Sequence, residues 1–331
     1  MGVAVPERAR LSRSRRTRWL SADLLFRCVV TAAGALVVVA LVATAVFLVH
    51  EAWPSIRHYG FFSFLTSSRW APSEATTASS DPNPYGILQF VYGTVMTSFI
   101  ALILAVPIAV TVGLFLTDVA PRRIRQPLTY LVDLLAAIPS VVYGFWGIFA
   151  LIPASHPLAN FITDTLGPIP GVGAVFAGPF FGPSYFVAGL VLTIMILPII
   201  TALCREIFAS APKADKEAAL ALGATRWEML RIAVLPRSRS GIVGASFIGL
   251  GRAFGETIAV TMVIGNNVLS ITTSIFSQGA TMPSVIANEF TEATNPFHLQ
   301  SLFVVAMWLL VITLLVNVLG RSFVRRTSAV R

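Results

Sequence analysis

Two charged side chains stand within a long apolar stretch of the chain. The run SGIVGASFIGLGRAFGETIAVTMVIGNN begins at Ser240, is long enough to cross a bilayer and carries Arg252 and Glu256 near its middle. A charged group at the centre of a membrane costs about 3 kcal/mol or more, so such residues are rare there and usually functional. The planar fork of an arginine suits two-point contact with an oxyanion, which predicts an anion pathway at Arg252.

Glu256 and the neighbouring threonines complete this predicted pathway. Arg252 and Glu256 are four residues apart, so a continuous helix would place them on one face. Glu256 could then orient Arg252 and offset its charge when no anion is present. Thr257 and Thr261 could add hydroxyl donors, although a threonine in a span often bonds its own backbone. The predicted substrate pathway therefore comprises Arg252, Glu256 and Thr257.

A purely structural ion pair is the alternative for Arg252 and Glu256. An arginine that precedes a glutamate is the poorer order at this spacing, and a bare pair inside a membrane would be costly. The sequence therefore favours the pathway role. For Asp133, which lies in another apolar run, the preference is reversed. There we expect an interfacial acid or a partner for a neighbouring arginine rather than a pathway residue.

The chain lacks the residue patterns of an enzyme or of a metal site. None of its four histidines has the H-x-x-x-H spacing or a cysteine partner, and Cys28 and Cys204 are far apart. Its only lysines, Lys213 and Lys216, do not belong to a Gly-Lys-Ser/Thr motif, so there is no nucleotide-binding P-loop. We therefore expect no enzyme activity and no cofactor bound by this chain. If the chain is driven by ATP, another polypeptide binds the nucleotide.

The elements that must position these residues are membrane helices. The chain has 331 residues, 56% hydrophobic and 12% charged, whereas soluble domains carry about 25% charged residues. Apolar runs of about 20 residues are long enough, as helices, to span the hydrocarbon core. The sequence predicts an all-α integral membrane protein with six transmembrane helices, at about 24–49, 87–116, 128–152, 185–208, 240–265 and 300–320.

The basic residues indicate the topology. Of the 24 lysines and arginines, 21 lie in the N-terminal segment, the 117–127 loop, the 205–239 region and the C-terminal tail. By the positive-inside rule these segments are cytoplasmic, and so are both termini. The tails 1–23 and 321–331 are expected beside membrane lipid; polybasic tails can also bind nucleic acid, but here the charge is a topology signal. The remaining loops are then external: 50–86, 153–183 and 266–299.

A polar stretch between the fourth and fifth spans has the composition of an amphipathic helix. Residues 213–227, KADKEAALALGATRW, are rich in helix formers and contain Gly223, a helix stop. Such a helix could rest on the membrane surface or enter a groove of a partner protein. The residues alone leave both interpretations open.

The spacing within this stretch resembles the permease subunits of bacterial ABC importers. The matching positions are Glu217, Ala218, Ala219, Gly223, Leu235 and Pro236, whereas Ala233 stands where the family usually has an isoleucine. The resemblance implies a coupling helix that docks into an ATPase subunit, with Glu217, Ala218 and Gly223 transmitting ATP-driven closure to the spans. It also implies an ABC transmembrane type-1 permease domain over residues 87–320.

Longer segments resemble one branch of these permeases. LQFVYGTVMTSFIALILAVPIAV, LLAAIPSVVYGFWG and GRAFGETIAVTMVIGNN are similar to phosphate-specific permeases of the PstC type. The resemblance implies a multi-pass protein of the bacterial inner membrane that imports inorganic phosphate by alternating access, with Arg252 and Glu256 as the charged pair needed for uptake. The implied partners are a sister permease of the PstA type, a homodimeric ATPase and an external phosphate-binding protein.

Two alternative functions remain at this stage. A permease of the same class for sulfate or molybdate would keep the coupling motif and differ in the fifth span. A self-sufficient secondary transporter would work without any ATPase, and internal inverted repeats would favour it.

Overall fold

The computed structural model describes residues 8–72, 84–269 and 271–329, with side chains between residues 23 and 325 of these ranges. Parts of the predicted tails and of the predicted loop 50–86 lie outside the described residues. The regular structure of the described chain is helical, apart from two isolated bridges that join Trp70 to Tyr85 and Gly265 to Gly279.

The chain divides into two compact units, residues 1–51 and 52–331. The first unit is the greater part of helix α1, whose apolar side chains from Leu24 to Val42 are exposed, as suits a helix surrounded by lipid. The second unit contains the core. The helices of the described residues are α1 (Arg8–Tyr59), α2 (Phe61–Thr66), α3 (Leu88–Leu114), α4 (Arg122–Ala137), α5 (Ser140–Trp146), α6 (Ile152–Leu166), α7 (Gly173–Phe176), α8 (Tyr185–Ala209), α9 (Lys213–Ala221), α10 (Arg226–Met229), α11 (Leu235–Phe254), α12 (Ile258–Ile264), α13 (Met282–Glu289) and α14 (Pro296–Ala329).

Several of these helices form longer spans. π-Helical turns at Phe115–Val119, Gly147–Leu151 and Leu230–Val234 follow α3, α5 and α10 without a break. Among the described residues, five helices are long and apolar enough to cross a membrane, and the count rises to six if α11 and α12 form one bent span. The prediction of an all-α membrane protein is confirmed.

The third span differs from its predicted bounds of 128–152. Helix α4 ends at Ala137, and α5 begins at Ser140 and continues to Leu166 as the apolar helix. Ile138 has an extended backbone (φ −66°, ψ 129°) because a residue that precedes a proline, here Pro139, is disfavoured in the helical conformation. The span therefore starts twelve residues later than hydropathy alone indicates, at residue 140 rather than 128.

The fifth span is not the single helix predicted for 240–265. Helix α11 ends at Phe254, α12 starts at Ile258, and the two are bent by 68°. The adjoining loop predicted at 266–299 is also more ordered than expected, since it contains α13 and the buried side chains of Ile275 and Phe276. Both differences arise from tertiary packing, which a hydropathy window does not detect.

Helix α8 lies at the centre of the core. Val187, Val191 and Ile196 on this helix have no exposed surface, and α8 packs against α3, α4, α11 and α12. Helix α11 approaches α8 closely through glycines: a Cβ atom at Gly249 would lie 2.6 Å from Cδ1 of Ile200. Small residues of α11 therefore allow this close contact between the two helices.

The start of α8 also anchors the segment that follows α12. Backbone amides of Ser184, Tyr185 and Phe186 donate hydrogen bonds to the carbonyls of Val263 (3.0 Å), Ser277 (3.1 Å) and Ile275 (2.8 Å). These bonds hold α12 and the 265–281 segment against α8. Helix α12, the second half of the bent fifth span, is thus attached to the core by backbone hydrogen bonds.

Candidate functional site

The predicted pathway residues lie at the break between α11 and α12. Arg252 is exposed in the last turn of α11, where the helix dipole favours a cation. Glu256 is half-buried within the break, and its Oε1 accepts a hydrogen bond of 3.4 Å from the Ala259 amide at the start of α12. Thr257 is the residue that precedes α12.

Arg252 and Glu256 do not share a helix face, contrary to the prediction. The bend interrupts the helical repeat between them, and no ion pair within 4.0 Å joins the two side chains. Helix α5, which carries Tyr143, packs against α12. Tyr143 is buried, and its hydroxyl donates a 2.7 Å hydrogen bond to the Leu135 carbonyl. Among the described residues, no carboxylate forms an ion pair with Arg252.

The threonines of the break bond to the backbone. Oγ1 of Thr257 donates to the Gly255 carbonyl at 3.3 Å, and Oγ1 of Thr261 donates to the Thr257 carbonyl at 2.7 Å. Each hydroxyl keeps acceptor capacity after this bond. Of the two alternatives that the sequence left open, hydroxyl donors for an anion or bonds to the chain's own backbone, both threonines adopt the second.

The predicted coupling helix consists of two short helices. Helix α9 ends before Gly223, whose positive φ of 86° allows the turn. Helix α10 then starts with a capping box in which the Thr225 and Glu228 side chains each bond the other's backbone. The structure confirms Gly223 as the stop, but the helix predicted over 213–227 is interrupted there.

Apolar side chains of this elbow, which we define as residues 212–237, project outward. Leu222 is 89% exposed, Trp227 63% and Ile232 67%. Glu217 and Ala218 are also exposed, whereas Ala219 is half-buried. A cleft of about 460 Å³ lies beside them, lined by Asp215, Ala219, Leu222, Ile232, Ala233, Pro236 and Arg237. The exposed apolar side chains of Leu222, Trp227 and Ile232 are suited to contact with another protein.

The end of the elbow is continuous with the fifth span. Leu235 and Pro236 are the first two residues of α11 and follow the π-helical turn Leu230–Val234 directly. Leu235 is half-buried against the core. The helix from Arg226 to Phe254 is therefore unbroken between the elbow and Arg252.

Asp133 has the structural role that the sequence favoured. Its Oδ1 lies 3.8 Å from Nη1 of Arg205, at the end of α8, and both side chains are partly exposed. This ion pair joins α4 to α8. The ion pair with Arg205 explains why an acidic residue stands at position 133, and a role in the pathway at residues 255–257 is not needed to explain it.

The structure also forms a polar cluster that sequence reasoning missed. Oε2 of Glu289 accepts a 2.7 Å hydrogen bond from Nε1 of Trp70 and lies 2.8 Å from Nε2 of His298. Tyr85 is buried beside them, and burial together with the charge of Glu289 raises the pKa of its hydroxyl. Trp70 and Glu289 are 219 positions apart, so no local pattern in the sequence could have linked them.

Comparisons with known proteins identify the family of this chain. The family model described as "Binding-protein-dependent transport system inner membrane component" matches residues 109–329. The "Phosphate transport system permease protein PstC" of Xylella fastidiosa is 39% identical over 325 residues, covering 98% of this chain and 97% of the relative. "Phosphate transport system permease protein PstC 2" of Mycobacterium tuberculosis is 41% identical over 305 residues, covering 91% of each.

Solved structures of similar fold are also transport proteins. The inward-facing MetNI methionine ABC transporter matches with a TM-score of 0.52 and 19% identity, over 73% of this chain and 95% of that one. A bacterial alginate ABC transporter, in complex with an alginate-bound periplasmic protein, matches with a TM-score of 0.50 and 16% identity, over 96% and 98%. At these identities the likeness concerns the fold, which is that of type I ABC importer permeases.

Proposed function

The chain belongs to the family of binding-protein-dependent transport system inner membrane components, and we propose that it translocates inorganic phosphate as the permease subunit of an ATP-driven ABC importer. It is a multi-pass protein of the cytoplasmic membrane and a transport subunit rather than an enzyme. Relatives of 39% and 41% identity that are named phosphate permeases support the choice of anion.

Permeases of this family act with an ATPase and a substrate-binding protein. For this chain we propose a sister permease of the PstA type, a homodimeric ATPase and an external phosphate-binding protein. ATP and Mg would bind to the ATPase, and the permease itself would carry no cofactor. The exposed apolar residues Leu222, Trp227 and Ile232 of the elbow support docking of the ATPase there.

The observation that carries the proposed mechanism is the exposed Arg252 at the break of the fifth span. An arginine offers five N–H donors in a planar fork, which suits the oxygens of a phosphate. Glu256 is bonded to the Ala259 amide rather than to Arg252, so the guanidinium stays available to an anion. Thr257, beside the break, supplies a further polar group. Alternating access then moves the anion past Arg252.

Uptake of labelled phosphate into proteoliposomes that contain the whole complex tests this function. We expect Arg252→Gln to reduce uptake about 10- to 100-fold, because charge-assisted hydrogen bonds contribute about 1.5–3 kcal/mol. Arg321→Gln is the matched control, since Arg321 is an exposed arginine of α14 away from the break. Normal uptake by Arg252→Gln would remove the role assigned to this residue.

The same vesicles separate the alternative functions. Phosphate uptake that sulfate suppresses as well as unlabelled phosphate does would indicate a permease with another oxyanion as its substrate. Transport by this chain alone, without an ATPase, would indicate a secondary transporter. The proposed function predicts neither result.

A further inference from the structure

A partly buried lysine connects the start of the elbow to two spans. Nζ of Lys216 in α9 lies 2.6 Å from Oδ1 of Asp118, in the π-helical turn that ends α3. The same ammonium donates a 3.2 Å hydrogen bond to the carbonyl of Phe208 in α8. The side chains of Lys216 and Asp118 are only 15% and 12% exposed. One cation thus holds α9 to both α3 and α8.

Little else attaches α9 to these helices. The helix has no buried residue, and only its half-buried Ala219 packs against the core. Its other described ion pair joins Asp215 to Arg237 of α11, and there the side chains are 40% and 51% exposed. An exposed pair of that kind contributes little, whereas breaking a buried pair leaves an uncompensated charge. The contact of Lys216 with Asp118 is therefore the main polar connection between α9 and α3.

Asp118 depends on this contact as well. Its second carboxylate oxygen, Oδ2, is buried without a hydrogen-bond partner, so Lys216 is what compensates the charge of the carboxylate. A displacement of α9 that separated the two side chains would leave both charges poorly hydrated and without their partner. The pair consequently resists separation, and the two elements are expected to move together.

We propose that Lys216 and Asp118 are positioning residues that transmit the movement of α9 to α3 and α8. This inference rests on the proposed function, because it assumes that the ATPase docks on the elbow. In that setting, the pair determines how much phosphate is moved for each ATP hydrolysed. It does not touch the anion or the nucleotide.

Variants of this pair test the proposal in proteoliposomes that contain the whole complex. Phosphate uptake and ATP hydrolysis are measured on the same vesicles after the assembled complex has been isolated by gel filtration. We expect Lys216→Met and Asp118→Asn to lower the ratio of phosphate to ATP about fivefold or more, a typical size for coupling between sites. ATP hydrolysis should persist in both.

The chain provides a close control and a rescue. Arg122 is an exposed basic residue in the first turn of α4, outside the elbow, so Arg122→Met should leave the ratio unchanged. The charge-reversed double variant, Lys216→Asp with Asp118→Lys, should recover part of the lost ratio. A structural role alone would change the yield of assembled complex but not its ratio.

An unchanged ratio in assembled Lys216→Met or Asp118→Asn complexes would overturn the proposal. Asp118→Asn, which keeps the shape of the side chain, carries the test if Lys216→Met does not assemble. A wild-type complex that hydrolyses ATP but imports no phosphate would refute the proposed function instead. The two failures are therefore distinguishable.

Discussion

Leu222→Ala in the elbow is expected to weaken binding of the ATPase without destabilising the permease. Leu222 is 89% exposed and directly precedes the turn at Gly223. Its side chain contributes almost nothing to the core of this chain. Nearly all of its apolar surface is available for burial by a partner.

The size of the effect follows from this exposure. Complete burial of a leucine side chain contributes about 1.5–3 kcal/mol, and truncation to alanine would remove about 1–2.5 kcal/mol of it. Since each 1.4 kcal/mol is a factor of ten in affinity, the Kd for the ATPase should rise about 5- to 70-fold. The thermal unfolding of the isolated permease should stay the same.

The assay is titration of the ATPase subunit onto the permease in nanodiscs. Leu314→Ala is the matched control, because Leu314 is 61% exposed but lies on α14, within a candidate span. It should leave the Kd unchanged. A folded Leu222→Ala permease that binds the ATPase with wild-type affinity would refute the assignment of this surface.

Two further predictions concern stability. Gly279→Ala should destabilise the protein by about 1–3 kcal/mol, because the new Cβ would overlap the ring of Tyr185. At Gly244 the nearest atom would be an ordinary 3.6 Å away, so Gly244→Ala should have no such cost; thermal unfolding in detergent compares the two. The raised pKa of Tyr85, caused by burial and by Glu289, means that the unfolded chain loses this proton first. The contribution of Tyr85 to stability should therefore be constant below about pH 10 and fall above it. Tyr85→Phe should lack this part of the alkaline loss in unfolding experiments at graded pH; an identical loss in both proteins would contradict the assignment.

The fold class and the elbow could be predicted because their signals are local. Apolar runs identify the spans, and Gly223 ends α9 where the sequence places a helix stop. The start of α10 was also readable, since Thr225 and Glu228 have the spacing of a capping box, yet the prediction continued one helix through it. The beginning of the third span was missed because hydropathy outweighed the effect of Pro139 on Ile138.

The geometry of the site could not be predicted, because it depends on contacts between distant segments. The sequence places Arg252 and Glu256 four residues apart, but the packing of α12 against α5, α8 and α13 bends the chain between them. Lys216 and Asp118 are 98 positions apart, and Asp118 was expected in a loop of basic residues. Neither residue has a neighbour in the sequence that indicates the other.

The unbroken helix from Arg226 to Phe254 is long enough to serve as a lever arm between the elbow and the break. Trp227 and Arg252 are roughly 25 residues apart on it, a length of about 38 Å at 1.5 Å per residue. A tilt of about 5° about one end would displace the other by about 3 Å, which is roughly one hydrogen-bond length. A tilt of about 5° would therefore suffice to bring the guanidinium onto an anion or to withdraw it.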